Sequence, residues 1–189
     1  SVPDARLLLI GDSPTPSDVP QLLAYAASLG LADVVHVTGW LPSSQAWEYL
    51  RGADAAVSYV PRGQLYDVSS PTKLLEYLAL GMPCVGNDIP DQAQVLTASQ
   101  AGWLVESNAT AMAAALVELL QDTVAARARA QAGPSYINAF RSYCALGAAL
   151  ARMVSCNVNC SPRRWQICAR VARTSASSAS RWRSLGARK

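Results

Sequence analysis

Apolar residues in this chain come as short runs separated by turn signals, and the longer segments between those runs carry helical periodicity. Residues 6–10 (Arg6, Leu7, Leu8, Leu9, Ile10) form a continuous apolar run that ends at Gly11-Asp12-Ser13-Pro14, the mark of a buried strand entering a turn. Asp18 is placed to cap a helix carrying Leu22, Leu23, Tyr25, Ala26 and Leu29, which stops at Gly30. A second strand is expected over 34–38. A short helix then opens at Ser43 or Ser44, and a third strand covers 55–60 and stops at Pro61. A loop leads to a helix over about 71–80, followed by a strand at Cys84-Val85, a helix over 91–99 and a strand over 103–105. An Ala-rich helix is expected over 109–132. Pro134 interrupts it, and a last amphipathic helix spans about 136–154.

Short apolar strands alternating with helices predict right-handed βαβ units and an α/β domain with a parallel sheet covered on both faces. Ligands in such sheets bind at the carboxyl ends of the strands. The loops that matter are therefore 11–17, 39–43, 61–71 and 86–90. No internal repeat is present.

A chain of 189 residues that is 51% hydrophobic and 15% charged has the length and composition for one domain with a sizeable core. No stretch of 18 apolar residues occurs, so no transmembrane helix is expected. The chain begins at Ser1 with no basic-then-apolar leader and reads as a piece of something longer. A cytoplasmic location is expected, with a membrane-peripheral one left open for a longer protein.

The net charge of +3 hides an asymmetry. Residues 1–155 hold 8 basic and 13 acidic side chains, whereas 156–189 hold 8 basic and none acidic. That tail also carries Cys156, Cys160 and Cys168, three of the five cysteines. Three readings of it stay open: a basic arm, a cysteine metal site with poor spacing for zinc, or a non-native end. Without acidic residues or an apolar face it is not expected to fold by itself. The chain is thus divided into a domain over 1–155 and a tail over 156–189.

Several familiar chemistries are excluded. The dinucleotide and P-loop glycine fingerprints and the Gly-x-Ser-x-Gly elbow are absent. His36 is the single histidine and lies in a strand pattern, which leaves no His triad or metal cluster and makes it a core or sheet-face residue. What remains is Ser69-Ser70-Pro71-Thr72-Lys73-Leu74-Leu75-Glu76. A helix N-terminus exposes unpaired amides that suit phosphate, and Ser69, Ser70 and Thr72 add hydroxyl donors. Pro71 suits the first turn and Lys73 adds a full charge. One turn on, the Glu76 carboxylate is placed to accept from a vicinal diol such as ribose. The plain alternative is a solvated Lys73–Glu76 pair worth a few tenths of a kcal/mol. Spacing alone leaves both open.

Four segments in order carry a resemblance: residues 3–12, then 35–42 (Val35 to Pro42), then 52–57, then 73–85 from Lys73 to Val85. Over about residues 1–125 the chain resembles the C-terminal, donor-binding half of GT-B glycosyltransferases of the family 4 type, the group 1 glycosyltransferases. The resemblance implies a Rossmann-like parallel sheet with helices on both faces. It also implies a retaining transfer from a nucleotide diphosphate sugar of UDP or GDP type, with no bound metal or other cofactor. Glu76 matches the glutamate that holds the ribose hydroxyls. Gly39, Trp40 and Leu41 match the segment that reads the base. The loop before Lys73, with Ser69, Ser70 and Thr72, matches the part that meets the diphosphate and sugar, and Gly11, in the matching stretch 3–12, is a further donor-site candidate.

Two departures from the pattern are visible. Val68 stands where the family carries a glutamate eight positions before the second one, and Asp67 is the nearest substitute as a donor-sugar contact. The family's first strand, with its Gly-Arg…Lys-Gly cations, and its N-terminal acceptor domain are not in the chain. The implied partners are the nucleotide-sugar donor and that acceptor domain; no nucleic acid is expected. Two functions follow: a donor-binding half that is inactive alone, or a non-catalytic nucleotide-binding module of the same fold. Sugar-nucleotide epimerases of this fold would need more histidine and carboxylate residues.

Overall fold

The computed structural model describes residues 2–157, and the remainder of the expected basic tail lies outside the described residues. The chain divides into two compact units after Ser142. Five strands occupy the first unit: β1 (Leu7–Leu9), β2 (Val35–Val37), β3 (Ala56–Ser58), β4 (Cys84–Asn87) and β5 (Trp103–Val105). Its helices are α1 (Asp18–Ser28), α2 (Ser43–Arg51), α3 (Thr72–Ala79), α4 (Pro90–Ser99), α5 (Ala109–Gln121), α6 (Thr123–Ala130) and α7 (Ala132–Tyr136). A π-helical turn over Ile137–Arg141 closes it. The second unit contributes α8 (Tyr143–Asn157).

All strand pairs are parallel, as the βα alternation predicts, but the ladders form two groups rather than one sheet. β1 pairs with β2, and β4 lies between β3 and β5. β1, β2 and β3 are shorter than their apolar runs, because only the central residues find a partner, whereas β5 has the expected bounds and β4 runs on to Asn87.

Cys84 and Val85 point to opposite faces of β4, as successive strand residues must. The Cys84 face packs with Leu74 and Leu78 of α3 and Val95 and Leu96 of α4. The Val85 face packs with Ala115 and Leu119 of α5 and Ala126 of α6. Leu74 and Leu78 are almost wholly removed from water, and such side chains contribute roughly 1.5–3 kcal/mol each. β1 and β2 are less well covered: Leu7, Leu8 and Ile10 are exposed. His36 lies in the β2 ladder opposite Leu8, with its ring on an exposed sheet face.

Helix α3 ends as its sequence requires. Gly81 takes the left-handed conformation (φ 64°), its N–H meets the Leu78 carbonyl, and the Met82 N–H reaches back to Tyr77. This Schellman closure satisfies two orphan carbonyls and turns the chain through Pro83 into β4.

The continuous helix expected over 109–132 is broken at Asp122. That residue leaves helical geometry (φ −133°, ψ 77°) and its carboxylate accepts from the Ala125 N–H to start α6. Pro134 does not interrupt a helix either. It sits in the first turn of α7, where no amide is needed. The last amphipathic pattern is likewise split, at Ser142, whose ψ of 153° is extended. Asp18 is the first residue of α1, with Ser17 at the cap position, and accepts from the Ser13 hydroxyl instead of capping. Ser43 opens α2 as expected, with Pro42 at the cap position. Among the described residues no single helix is long and apolar enough to cross a membrane.

Candidate functional site

The carboxyl ends of the strands carry the loops singled out from sequence. At β1 and β2, Gly11 and Gly39 face each other across an isolated antiparallel bridge. The Thr38 hydroxyl accepts from the Gly11 N–H at 3.2 Å and donates to the Gly39 carbonyl at 2.8 Å. Trp40 follows with 75% of its surface exposed, and Leu41 is half-buried. Beside them a cavity of about 270 Å³ is lined by Leu9, Gly11, Asp18, Leu22 and Val37 among others.

Helix α3 begins without a cap. Pro71 occupies the cap position and no side chain bonds to the first turn. Among the described residues the amides of Thr72, Lys73 and Leu74 have no backbone acceptor outside the helix. These are orphan donors at the positive end of a helix, and those of the exposed Thr72 and Lys73 are the ones an anion can reach, since Leu74 is buried. Thr72 and Lys73 are exposed beside them.

Glu76 lies one turn along the same helix, and it forms no ion pair with Lys73. Its Oε2 instead accepts from Trp47 Nε1 of α2 at 3.4 Å. The solvated Lys73–Glu76 pair is therefore not the arrangement adopted, and both charges face solvent.

The serines of the loop make hydrogen bonds within the protein. Ser69 Oγ donates to the Tyr66 carbonyl at 2.7 Å, and Ser70 Oγ donates to Asp91 Oδ2 at 2.8 Å. Their protons are spent inside the protein, so both serve to shape the loop as the chain stands. Asp91 in turn accepts from Arg141 at 2.9 Å, which ties the π-helical turn to the start of α3. Burial lowers the Arg141 pKa, but the Asp91 carboxylate beside it outweighs that, and the guanidinium is held above its usual range.

Asp67 is engaged as well. Arg62 Nε and NH2 donate to its two oxygens, each at 2.9 Å, and the Gly63 N–H donates to Oδ1 at 3.3 Å. The Arg62 hydrogen bonds hold the Asp67 carboxyl below the usual carboxylate range.

Periodicity gave no sign of the polar cluster beneath this loop. Ser58, Asn87 and Gln92 are fully buried. Ser58 Oγ donates to Gln92 Oε1 at 2.5 Å, and Gln92 Nε2 donates to Asn87 Oδ1 at 2.9 Å. The Asn87 amide then pairs with both backbone groups of Val60, at 2.9 and 2.7 Å, in the way a neighbouring strand would. No buried side-chain polar atom among the described residues lacks a partner. The one signal in sequence was the position of Asn87 in a strand-end loop, 86–90.

Residues 1–122 match the family model for glycosyl transferases group 1. Among solved structures, sucrose-phosphate synthase from Thermosynechococcus elongatus superposes with a TM-score of 0.66 at 21% identity, over 82% of this chain and 39% of that one. HepE from Anabaena, in complex with UDP, gives 0.65 at 16% identity, over 81% of this chain and 41% of that one. A glycosyltransferase from Rickettsia africae gives 0.66 at 19% identity, over 83% and 41%. This chain thus spans about two fifths of the length of these structures. No curated protein matches it. The architecture is a Rossmann-like α/β fold shared with GT-B glycosyltransferases, and the family model covers well over half of the chain. The chain therefore belongs to the glycosyl transferases group 1 family.

Proposed function

We propose that this chain is the C-terminal, donor-binding domain of a retaining glycosyltransferase of the family 4 type, and that its donor is a nucleotide diphosphate sugar. The observation that carries the reading is the uncapped start of α3 with the unpaired charges of Lys73 and Glu76 beside it. The orphan amides and Lys73 take the diphosphate, Glu76 accepts from the ribose diol, and Gly39 to Leu41 meet the base. During transfer, negative charge grows on the departing diphosphate. Donors already fixed at the helix start stabilise it without reorganising. The chemistry asks for no metal or other cofactor, since the helix start and Lys73 supply the positive charge.

The HepE neighbour was solved with UDP, which supports uridine over guanosine as the base. Acceptor groups and the remaining phosphate cations would come from a second domain, so the 189-residue chain binds donor and transfers nothing alone. One observation favours a different reading, a nucleotide-binding module without chemistry. Val68 replaces the motif's first glutamate, and its neighbour Asp67 is held by Arg62.

Titration calorimetry with UDP and GDP tests the proposal. UDP is expected to bind saturably, and Glu76→Ala to weaken it by about tenfold, or 1.4 kcal/mol. No saturable heat with either nucleotide, or a Glu76→Ala variant that binds like the parent, would overturn it.

A further inference from the structure

We propose that Arg62 and Asp67 are positioning residues. They form a clamp that fixes the loop between β3 and α3, and Asp67 acts on the donor site through that loop, not as a ligand of the sugar. The inference rests on the donor-site reading above for its functional part and on geometry for the rest.

The loop has little apolar burial to hold it. Leu65 is 75% exposed, Tyr66 46% and Val68 84%. Hydrophobic burial, which orders most of a fold, thus contributes little here. What closes the segment is polar. The Tyr66 and Asp67 amides both bond the Gly63 carbonyl, at 3.0 and 2.8 Å. The two parallel Arg62–Asp67 bonds lock the ends of that turn together.

Arg62 is anchored on its other side too. Its NH1 donates to the Asp88 carbonyl at 3.3 Å and lies 3.6 Å from the Asp88 carboxylate. Asp88 accepts from the Ser107 hydroxyl, and Ser107 accepts from the buried Asn87 amide at 2.8 Å. The chain of bonds therefore runs from the core end of β4 out to Asp67. An isolated exposed ion pair contributes little, but a two-pronged guanidinium–carboxylate pair tied into a network is the exception. Four residues beyond Asp67 stands Pro71, and then the open amides of α3, so the clamp sets where those amides sit.

The experiment uses the full 189-residue chain with Arg62→Ala, Asp67→Asn and the double variant. Hydrogen exchange is read over 63–70, and calorimetry is run with UDP and with UDP-glucose. Exchange in the loop is expected to speed up by about five- to tenfold in each variant while β4 and α5 stay unchanged. Each single variant should lower UDP and UDP-glucose affinity by one common factor, to within about twofold, and the double variant should lose no more than a single one. If Asp67→Asn weakens UDP-glucose but not UDP, Asp67 touches the sugar and the proposal is wrong. Unchanged exchange in Arg62→Ala overturns it as well. If the parent binds neither nucleotide, the donor-site reading fails by itself, and the exchange measurement still decides whether the clamp exists.

Discussion

Gly133 is where the packing of this fold leaves least room, and replacing it with alanine tests how α3 is held. A Cβ at Gly133 would meet the Leu78 carbonyl oxygen at 2.5 Å, with the Leu78 carbonyl carbon and Cα at 3.1 Å. All three are backbone atoms of a helix whose side chain at that position is fully buried, so no rotamer change relieves the contact. Helix α7 has to lift off α3. A lift of only 0.5–1 Å forfeits about a quarter to a half of the dispersion attraction across the contact. Overpacking of this kind costs about 1–3 kcal/mol. The rigid backbone target puts the clash at the upper end, about 3 kcal/mol, and the better helix propensity of alanine offsets about 1. The expected loss is thus about 2 kcal/mol, read as a lower urea midpoint at unchanged slope. Gly147, inside α8, is the control. Nothing lies within 4 Å of a Cβ built there, so the same substitution should leave the melt unaltered or raise helicity, with a gain of up to about 1 kcal/mol. A Gly133→Ala chain that melts like the parent would refute the claim that α7 rests on the backbone of α3.

Two further predictions concern titration. Cys84 is fully buried, and burial pushes its thiol up to about 12. A maleimide at neutral pH should label the exposed Cys144 and leave the Cys84 peptide unlabelled until urea is added; mass mapping that finds Cys84 labelled in the native chain would contradict this. Because its native value is raised, its contribution to stability is complete below the ordinary value of 9.0 and declines as pH climbs towards about 12. The loop carboxylates behave in the opposite sense. Arg62 holds Asp67 below the ordinary 3.8, and the Ser107 hydroxyl does the same chiefly for Asp88. Their contribution is present above 3.8 and lost as pH falls through the lowered native values. Pepsin should therefore cut at Leu65–Tyr66 only below pH 3.8 in the parent, but already above it in Arg62→Ala. Identical cutting profiles for the two chains would argue against the clamp.

The fold was legible to the extent that it follows period and punctuation. The βα alternation, the Gly81 turn and the amphipathic face of α3 could all be read from Leu74, Leu78 and Gly81. Breaks made by side-chain capping could not. Asp122 sits in an Ala-rich run whose helical period continues on both sides, so only its geometry reveals the stop. The division of the strands into two ladders was equally hidden, because each apolar run looks the same whether or not a neighbour is present.

At the site, Lys73 and Glu76 stood out because an apolar face did not account for them. Asn87 and Gln92 did not stand out. A buried amide carries the same letter as an exposed one, and its burial is decided by what packs over it. The capture of Asp67 by Arg62 was invisible for a related reason, since a spacing of five within a loop has no periodic meaning. Proximity there is a product of the turn at Gly63, not of sequence distance.

The distribution of satisfied and open polar groups separates scaffold from site. Among the described residues every buried polar side-chain atom has a partner: Ser58, Gln92, Asn87 and the Val60 backbone bond to one another, and Asn87 also reaches Ser107. Leaving any of them unpaired would cost about 1–3 kcal/mol, so the network holds the end of β3 in a single arrangement. The opposite condition holds at the start of α3. There the helix has no cap, and Lys73 does not neutralise Glu76 although the spacing of three residues would allow it. Thr72, Lys73 and Glu76 are exposed, so their open groups cost the fold little. On the donor-site reading, a ligand brings an anion to the amides and Lys73, and a donor pair to Glu76 one turn away. The nucleoside diphosphate proposed above carries both. The serines of the loop already donate to Tyr66 and Asp91, so on the donor-site reading the first amides of α3 and the exposed Thr72 and Lys73 side chains are the donors a ligand would meet, and the Arg62 clamp proposed above would act on binding through the shape of the loop that leads to them.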